Sequence, residues 1–219
     1  VLKEYGGKLV FGSGEVSFSS IDLLRKEMLD SKNLSIVNPA KFNKRHSISE
    51  KRLSQVVKLF STKNICVIGD MIIDEYVTCE PLGMSQEDPT IVLSPNEKQE
   101  FVGGAGIVAK HIDSLGSSTS FCTVVGIDNG AKNVRKALDK TNIKFNLISD
   151  ETRPTTVKQR FQSKGKTLLR VNELRQHSID KNVIKKFESY VFQIIKNKDL
   201  LVFADFNYGC LPQILVDKL

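Results

Sequence analysis

The stretch that decides the fold is EFVGGAGIVAKHIDSLGSSTSFCTVVGIDNG, residues 100–130. Its glycine pair, Gly103 and Gly104, stands between an apolar strand pattern and an amphipathic helix pattern, and the apolar run SFCTVVG follows. Two similar runs, ICVIGD and DLLVFAD, lie before and after this stretch. Continuous apolar runs are typical of parallel strands that are buried on both faces. With helices between them, they predict an α/β fold with a mostly parallel sheet.

Composition limits the classes of protein that the chain can represent. A chain of 219 residues with 40% hydrophobic content is long enough for one large domain. No apolar run approaches the roughly 20 residues that span a bilayer, and the first residues lack a signal-peptide pattern, so we expect a cytoplasmic protein without a membrane partner. The cysteines are widely spaced and form no C-x-x-C motif, which predicts reduced, buried thiols and no metal site.

The net charge of +7 would suit phosphorylated small molecules, an acidic membrane or nucleic acid. Many basic residues lie in residues 41–63 and 181–198, where they alternate with acids and lack the aromatic ladder of a single-strand binder. Solvated helix faces account for this pattern better. We therefore predict no nucleic-acid partner.

The chain divides into three regions at residues 1–30, 31–63 and 64–219. The second is polar and basic and contains the helix pattern SEKRLSQVVKLF, so it is interpreted as a linker with one helix. In the third, the segment between ICVIGD and the glycine pair alternates and carries three prolines, which predicts short strands that form a lid. A second hairpin is expected to turn at Lys164, Gly165 and Lys166.

Polar residues follow the predicted parallel strands, at the edge where ligands gather in open sheets of this kind. Asp70 ends the first strand, Asp74 follows four residues later, and Asp205 ends the last strand. Carboxylates there could accept hydrogen bonds from sugar hydroxyls, although a single aspartate is as readily a turn former or a helix cap.

The glycine pair does not fit a dinucleotide-binding fingerprint. The sequence G-G-A-G-I-V-A differs from G-x-G-x-x-G, and it does not lie in the turn that closes the first parallel strand. Two glycines before a helix still allow the backbone to approach a ligand closely, because no side chain stands in the way. Simple turn formation is the alternative.

The order of Gly103, Gly104, Ala109, Gly116 and Gly126 resembles the N-terminal signature of the ribokinase, or PfkB, family of carbohydrate kinases. The segments VIGDMIIDEY, MSQEDPTIVL, TTVKQRF, LLRVNE and LVFADFNYG are similar to the heptose-phosphate kinases of that family, which occur in bifunctional proteins. The resemblance covers residues 64–219, the N-terminal half of such a kinase. It implies a ribokinase-like three-layer sandwich with a small β lid.

The resemblance also implies an activity, the transfer of the γ-phosphoryl group of ATP, with Mg²⁺, to a hydroxyl of a sugar or sugar phosphate. It implies that the substrate-binding residues have three roles. The sugar would be bound by Asp70, Asp74, Gly103 and Gly104. A phosphate on the sugar would be bound by Lys158 and Arg160, and the transferred phosphoryl group would lie near Asp205. A solvated strand face is the alternative for Lys158 and Arg160.

The chain departs from the family pattern at Ile107, where an asparagine is usual, and at Tyr208, where the heptose kinases have lysine. The glycine-rich loop that carries the catalytic base is expected beyond Leu219, so the chain contains no predicted catalytic residue, and we expect it to be inactive alone. A non-catalytic sugar-phosphate binding module is the alternative function. Lid strands with exposed edges favour a homodimer.

Residues 1–30 are similar to the end of the nucleotidylyltransferase domain that is fused to such kinases, which implies a bifunctional enzyme. Ser19 and Ser20 match a serine pair near the nucleotide phosphate. Both are also ordinary candidates for helix caps, which is the simpler interpretation.

Overall fold

The computed structural model describes residues 40–219, which form two units divided between Ser49 and Glu50. The described part of the first unit contains helix α1 (Ala40–Arg45), and the rings of Phe42 and His46 lie 4.4 Å apart. The predicted transferase tail, including Ser19 and Ser20, lies outside the described residues. The second unit begins with α2 (Glu50–Phe60), which is the helix predicted from SEKRLSQVVKLF.

The main sheet consists of β1 (Asn64–Gly69), β4 (Ser118–Val125), β5 (Lys144–Ser149) and β8 (Leu200–Ala204). Its order is β5-β4-β1-β8, and all neighbouring strands are parallel. The three predicted parallel strands are β1, β4 and β8, and β1 pairs with each of the other two. Because β1 is central, its Cys66, Val67 and Ile68 are fully buried.

Helices cover both faces of this sheet. On one face, α3 (Ala105–Ser114) and α4 (Asn129–Leu138) pack Ala109, Val134 and Leu138 against Val67 and Phe121. On the other face, α5 (Lys181–Ile195) and α6 (Gln213–Val216) bury Phe187, Val191 and Leu215 against Ile68 and Cys122. The prediction of a mostly parallel sheet between two helix layers is therefore confirmed. Among residues 40–219, no helix is long and apolar enough to cross a membrane.

A second sheet forms the lid, with the order β3-β2-β6-β7. Its strands are β2 (Met71–Met84), β3 (Ile91–Gly104), β6 (Thr156–Ser163) and β7 (Lys166–Glu173). Strands β2 and β6 are parallel, and the two hairpins β2–β3 and β6–β7 are antiparallel. The second hairpin turns at Lys164 and Gly165, both with positive φ, as the sequence predicts.

The lid strands β2 and β3 are longer than expected, at 14 residues each. Prolines were expected to break this segment into short strands. The hairpin instead accommodates Pro81 and Pro95 beside two register shifts, at Thr78/Cys79 and Pro81/Gly83. Such irregularities leave a residue without its ladder partner, so a residue that lacks an N–H is tolerated there.

Candidate functional site

Asp74 lies on the face of the lid sheet that borders the main sheet's C-terminal edge. In the strand register, Asp74 is opposite Phe101 on one side and Lys158 on the other, so the three side chains share one face. The Asp74 carboxylate accepts a hydrogen bond of 2.6 Å from Nη1 of Arg160. This bond raises the pKa of the Arg160 guanidinium, and the ring of Tyr76 lies 5.2 Å from it. The two lid strands thus hold a partly exposed ion pair in place.

The glycine pair adjoins this carboxylate. A Cβ atom at Gly103 would collide with Oδ2 of Asp74, and one at Gly104 would collide with the carbonyl oxygen of Asp70. Gly104 also has a positive φ of 55° and immediately precedes α3, whose first N–H group, that of Ala105, donates to the Asp70 carbonyl at 2.9 Å. Glycine is therefore required at both positions, for space at Gly103 and for space and conformation at Gly104.

An open cleft of about 550 Å³ lies between the lid and the main sheet. The glycine pair forms part of its wall, together with the side chains of Asp74, Tyr76, Phe101, Ile107 and Phe206. The rings of Tyr76 and Phe101 meet edge to face, with their centroids 5.8 Å apart. Asp74 is the acidic group in an otherwise apolar and aromatic lining. This combination suits a ligand with both an apolar face and hydroxyl donors.

Asp70 has different contacts from Asp74. It is buried, and its carboxylate accepts backbone hydrogen bonds from Phe206 at 2.8 Å, Tyr208 at 3.2 Å and Cys210 at 3.1 Å. Burial raises the pKa of this carboxyl, partly offset by those three N–H donors. The carboxylate of Asp70 therefore holds the loop that follows β8, and Asp74 is the aspartate that lines the cleft.

Two other predicted site residues adjoin the cleft wall, since Lys158 pairs with Asp74 in the strand register and Asp205 precedes Phe206. The Lys158 ammonium is 4.9 Å from the centroid of the Tyr208 ring. Asp205 is exposed just after β8, and its Oδ1 accepts from the backbone N–H of Asn207 at 2.8 Å, which closes a turn. The two departures from the family pattern, Ile107 and Tyr208, thus both lie at this site, one in the cleft wall and one against Lys158.

Arg153 is a buried residue that sequence reasoning missed. Its guanidinium forms an ion pair with Asp150 at 2.9 Å and donates to the carbonyl oxygens of His177 at 2.6 Å and Tyr208 at 2.9 Å. Burial alone would raise the pKa of the Asp150 carboxyl. The hydrogen bonds from Thr152 and the positive charge of Arg153 outweigh burial, and the pKa is therefore lowered. Arg153 therefore joins three loops, and no local pattern marks it.

Sequence reasoning also missed Tyr76, which lines the cleft. Tyr76 could have been found, since it follows Asp74 by two residues and shares its face.

The sequence is similar to those of curated bifunctional proteins. The chain is 34% identical over 160 residues to the bifunctional protein HldE of Bradyrhizobium diazoefficiens, covering 71% of this chain and 32% of that protein. It is 31% identical over 158 residues to the Helicobacter pylori protein of the same name, covering 72% of this chain and 34% of that one. The chain thus spans about a third of the length of these curated relatives.

Solved structures show the same fold. Phosphofructokinase-2 from Escherichia coli, in complex with fructose-6-phosphate, superimposes with a TM-score of 0.55 at 15% identity, covering 70% of this chain and 49% of that one. The family described as "pfkB family carbohydrate kinase" matches residues 62–218, which is more than half of the sequence. The chain therefore belongs to the PfkB family of carbohydrate kinases.

Proposed function

We propose that the full-length protein transfers the γ-phosphoryl group of ATP to a hydroxyl of a sugar phosphate similar to a heptose phosphate. The cleft around Asp74 is the sugar site in this proposal. The observation that carries it is the Asp74 carboxylate, which is fixed by Arg160 and faces the glycine wall of a cleft of about 550 Å³. The family match supports a carbohydrate kinase, and relatives that bear the name bifunctional protein HldE support a second activity that is joined to it.

Asp74 is proposed to bind sugar hydroxyls directly. Its ion pair with Arg160 occupies Oδ1, and a carboxylate can accept about four hydrogen bonds in all. A hydroxyl that donates to an ionised acceptor makes a shorter and stronger bond than one that donates to a neutral group. The rings of Tyr76 and Phe101 would pack against the apolar face of the sugar, and Gly103 and Gly104 would let its ring approach the backbone.

Lys158 and Arg160 are proposed to bind the phosphate of the substrate. They are alternate residues on β6, so both point to the face that carries Asp74. Lys158 contributes a compact charge and Arg160 a planar fork of donors. Asp70 would act through the loop that it holds, and Asp205 would lie near the transferred phosphoryl group.

ATP and Mg²⁺ belong to the proposed reaction of the full-length enzyme, which we expect to work in the cytoplasm, where ATP is available. Residues 40–219 bring together no group of three or more His, Cys, Asp or Glu side chains that could hold a metal ion. This part of the chain therefore does not fit a complete Mg²⁺ site by itself. The catalytic base is proposed to lie outside the 219 residues.

We propose that the full-length protein contains three regions. Residues 64–219 would be the sugar-binding part of the kinase, residues 31–63 a linker with a helix, and residues 1–30 the tail of a nucleotidylyltransferase. Limited proteolysis of the full-length protein should then cut first within residues 31–49, before α2. A kinase core that starts near Glu50, where the second unit begins, should remain and keep its sugar-phosphate binding.

The lid strands are proposed to form a homodimer face. Strand β7 is an edge strand, exposed along its whole length, and it carries Leu168, Leu169 and Val171. Exposed apolar edge strands tend to pair with other chains. Sedimentation velocity should show a dimer for the wild type and a monomer for Leu169→Lys.

The test of the kinase is turnover of ATP by the full-length protein with a panel of hexose and heptose phosphates. Asp74→Asn removes the charge of the carboxylate but keeps its shape, and we expect kcat/KM for the sugar phosphate to fall about 100-fold or more. The control is Asp139→Asn, an exposed aspartate at the end of α4. Equal kcat/KM values for the two variants would show that Asp74 does not take part in the site.

A non-catalytic sugar-phosphate binding module is the second candidate. It is favoured by Ile107, which places an aliphatic side chain in the cleft wall. This candidate predicts that calorimetry detects sugar-phosphate binding, that binding is lost in Asp74→Asn, and that the full-length protein consumes no ATP. Turnover of ATP with any sugar phosphate in the panel would exclude it.

A further inference from the structure

The loop of residues 206–210 is hydrogen-bonded to the end of the central strand β1 through Asp70. The Asp70 carboxylate accepts from the backbone N–H groups of Phe206, Tyr208 and Cys210, at 2.8 to 3.2 Å. Gly209 has a positive φ of 81°, and a Cβ there would collide with the carbonyl oxygen of His177. The loop therefore has a single fixed path where it leaves β8.

The backbone of Tyr208 is held from both sides. Its N–H donates to Asp70, and its carbonyl oxygen accepts from Nη1 of Arg153 at 2.9 Å. Asp70 and Arg153 are themselves buried, with relative exposures of 3% and 9%. Buried, hydrogen-bonded charges are costly to displace, so the direction in which the Tyr208 side chain leaves the loop is fixed.

The Tyr208 ring meets the lid at Lys158. The Lys158 ammonium lies 4.9 Å from the ring centroid, within the range of a cation–π interaction. Within the described part of the chain, this ammonium makes no hydrogen bond and no ion pair. Arg160, two residues further on, is already paired with Asp74. The Tyr208 ring is thus the group that determines where the less engaged of the two lid cations lies.

We propose that Tyr208 is a positioning residue for phosphate binding, because its ring holds the Lys158 ammonium, on the lid face that carries Asp74, where it would meet the phosphate of the substrate. This inference rests on the proposed sugar-phosphate site. A lysine side chain has four rotatable bonds and loses much conformational freedom when it binds. A ring that restricts the ammonium beforehand reduces that loss and leaves its three N–H donors free for phosphate oxygens.

The first test uses the full-length kinase and its best sugar phosphate. Tyr208→Leu removes the π face but keeps an apolar side chain, and we expect KM for the sugar phosphate to rise roughly 3- to 30-fold. The kcat, the KM for ATP and the KM for the unphosphorylated sugar should not change. Tyr208→Phe should restore the wild-type KM. A rise of equal size for the phosphorylated and unphosphorylated sugars would overturn the proposal.

A double-mutant cycle tests whether the effect passes through Lys158. Lys158→Met should raise KM for the sugar phosphate by itself, and adding Tyr208→Leu to it should cause no further rise. Independent, additive effects would overturn the proposal. If Tyr208→Leu does not fold, phenylalanines with an increasing number of fluorine atoms at position 208 keep the shape and weaken the π face. KM should then rise stepwise, and a constant KM would contradict the proposal.

Phosphate binding can also be followed without turnover, which separates this inference from the kinase proposal. In full-length protein with labelled lysines, the ε-methylene resonances of Lys158 should shift when inorganic phosphate is added. The apparent dissociation constant should be roughly 3- to 30-fold larger in Tyr208→Leu. Equal affinity in wild type and variant would refute the role of Tyr208, whether or not a sugar substrate has been found.

Discussion

Oδ1 of Asp70 accepts a hydrogen bond of 3.1 Å from the backbone N–H of Cys210, 140 residues further along the chain. The same carboxylate holds Phe206 and Tyr208. Strands β1 and β8 already pair as far as Gly69 and Ala204, and the Asp70 side chain continues this connection into the loop that follows β8. The path of the loop beside the cleft is thus fixed by this carboxylate, together with the contact of Arg153 with the Tyr208 carbonyl.

Substitution of Asp70 should therefore lower stability. In Asp70→Asn, the amide would direct N–H groups at backbone donors, and in Asp70→Ala, three N–H groups would lose their acceptor. We expect the free energy of unfolding to fall by about 2–4 kcal/mol in either variant. Urea denaturation measures it, with Asp139→Asn as the control. A loss within the error of such a measurement, about 0.5 kcal/mol, would show that the loop does not depend on Asp70.

A methyl group at position 103 should displace the carboxylate of Asp74. In Gly103→Ala, the new Cβ would collide with Oδ2 of Asp74, so the acid would have to rotate away from the cleft. We expect sugar-phosphate affinity to fall about 10-fold or more, measured by calorimetry on the full-length protein.

The mechanism of that loss can be checked in a second background. If Gly103→Ala acts through Asp74, it should cause no additional loss of affinity when Asp74 is already alanine. An equal loss in both backgrounds would mean that the glycine itself is needed at the ligand.

Ile107 should influence which hydroxyls the site accepts. It lies in the cleft wall in the first turn of α3, where a sugar hydroxyl that faces it would find no hydrogen-bond partner. We expect Ile107→Asn to change the ratio of kcat/KM between a sugar phosphate and its deoxy analogue about 10-fold in favour of the hydroxylated sugar. Ile107→Val keeps the wall apolar and should leave the ratio unchanged. An unchanged ratio in Ile107→Asn would mean that no hydroxyl meets this wall.

The thiols should be unreactive in the folded protein. Burial raises the pKa of Cys66 to about 11 and that of Cys210 to about 12, and it also raises the pKa of Cys122. Because the thiolate is the reactive form, these groups should react with Ellman's reagent at pH 8 only when the protein unfolds. All should react in guanidinium chloride. A fast reaction of native Cys66 or Cys210 would indicate local opening of the main sheet.

Asp128 should make stability fall in acid. Burial acts to raise the pKa of its carboxyl, but hydrogen bonds from Thr155 and Ala131 outweigh burial, so the pKa is lower than the usual 3.8. A lowered pKa in the folded state gives stability that is present above the unfolded value. This stability is lost as the pH falls through 3.8 towards the folded value.

Asp128→Ala should therefore be less stable than the wild type at pH 7, by about 1–2 kcal/mol for loss of the helix cap, and the difference should shrink as the pH falls below 3.8. Urea denaturation at several pH values measures both effects. Asp139→Ala, at the other end of α4, should show neither. A difference that stays constant with pH would mean that the charge of Asp128 is not what stabilises the helix start.

The sequence was sufficient for three strands of the main sheet but not for the fourth. The runs that became β1 and β4 are continuously apolar because helices cover both faces of these strands. The run that became β8 is also apolar, although this strand lies at one edge of the sheet and exposes Leu200 and Phe203. Strand β5, the sequence KFNLIS, was not predicted. It lies at the other edge, carries Lys144 and Asn146 and buries only Ile148, so its apolar pattern is weak.

Some residues of the candidate site could likewise be placed from local pattern. Gly103 and Gly104 end β3, Asp74 lies near the start of β2, and Lys158 and Arg160 alternate along β6. The contacts of Asp70 with the loop after β8, and those of Arg153 with Tyr208, join residues 55 to 140 positions apart. Such contacts depend on how the two sheets meet, which no local pattern records.

The β2–β3 hairpin leaves and rejoins the main body at a single place, where Met71 pairs with Gly104 and Ala105 donates to Asp70. Strands of 14 residues extend about 45 Å, yet only the start of β2 and the end of β3 border the cleft. The outer half of the hairpin is thus under no constraint from the ligand. Insertions, deletions or an exchanged tip should be tolerated there, so related enzymes can diverge in their outer surface and keep the same sugar chemistry.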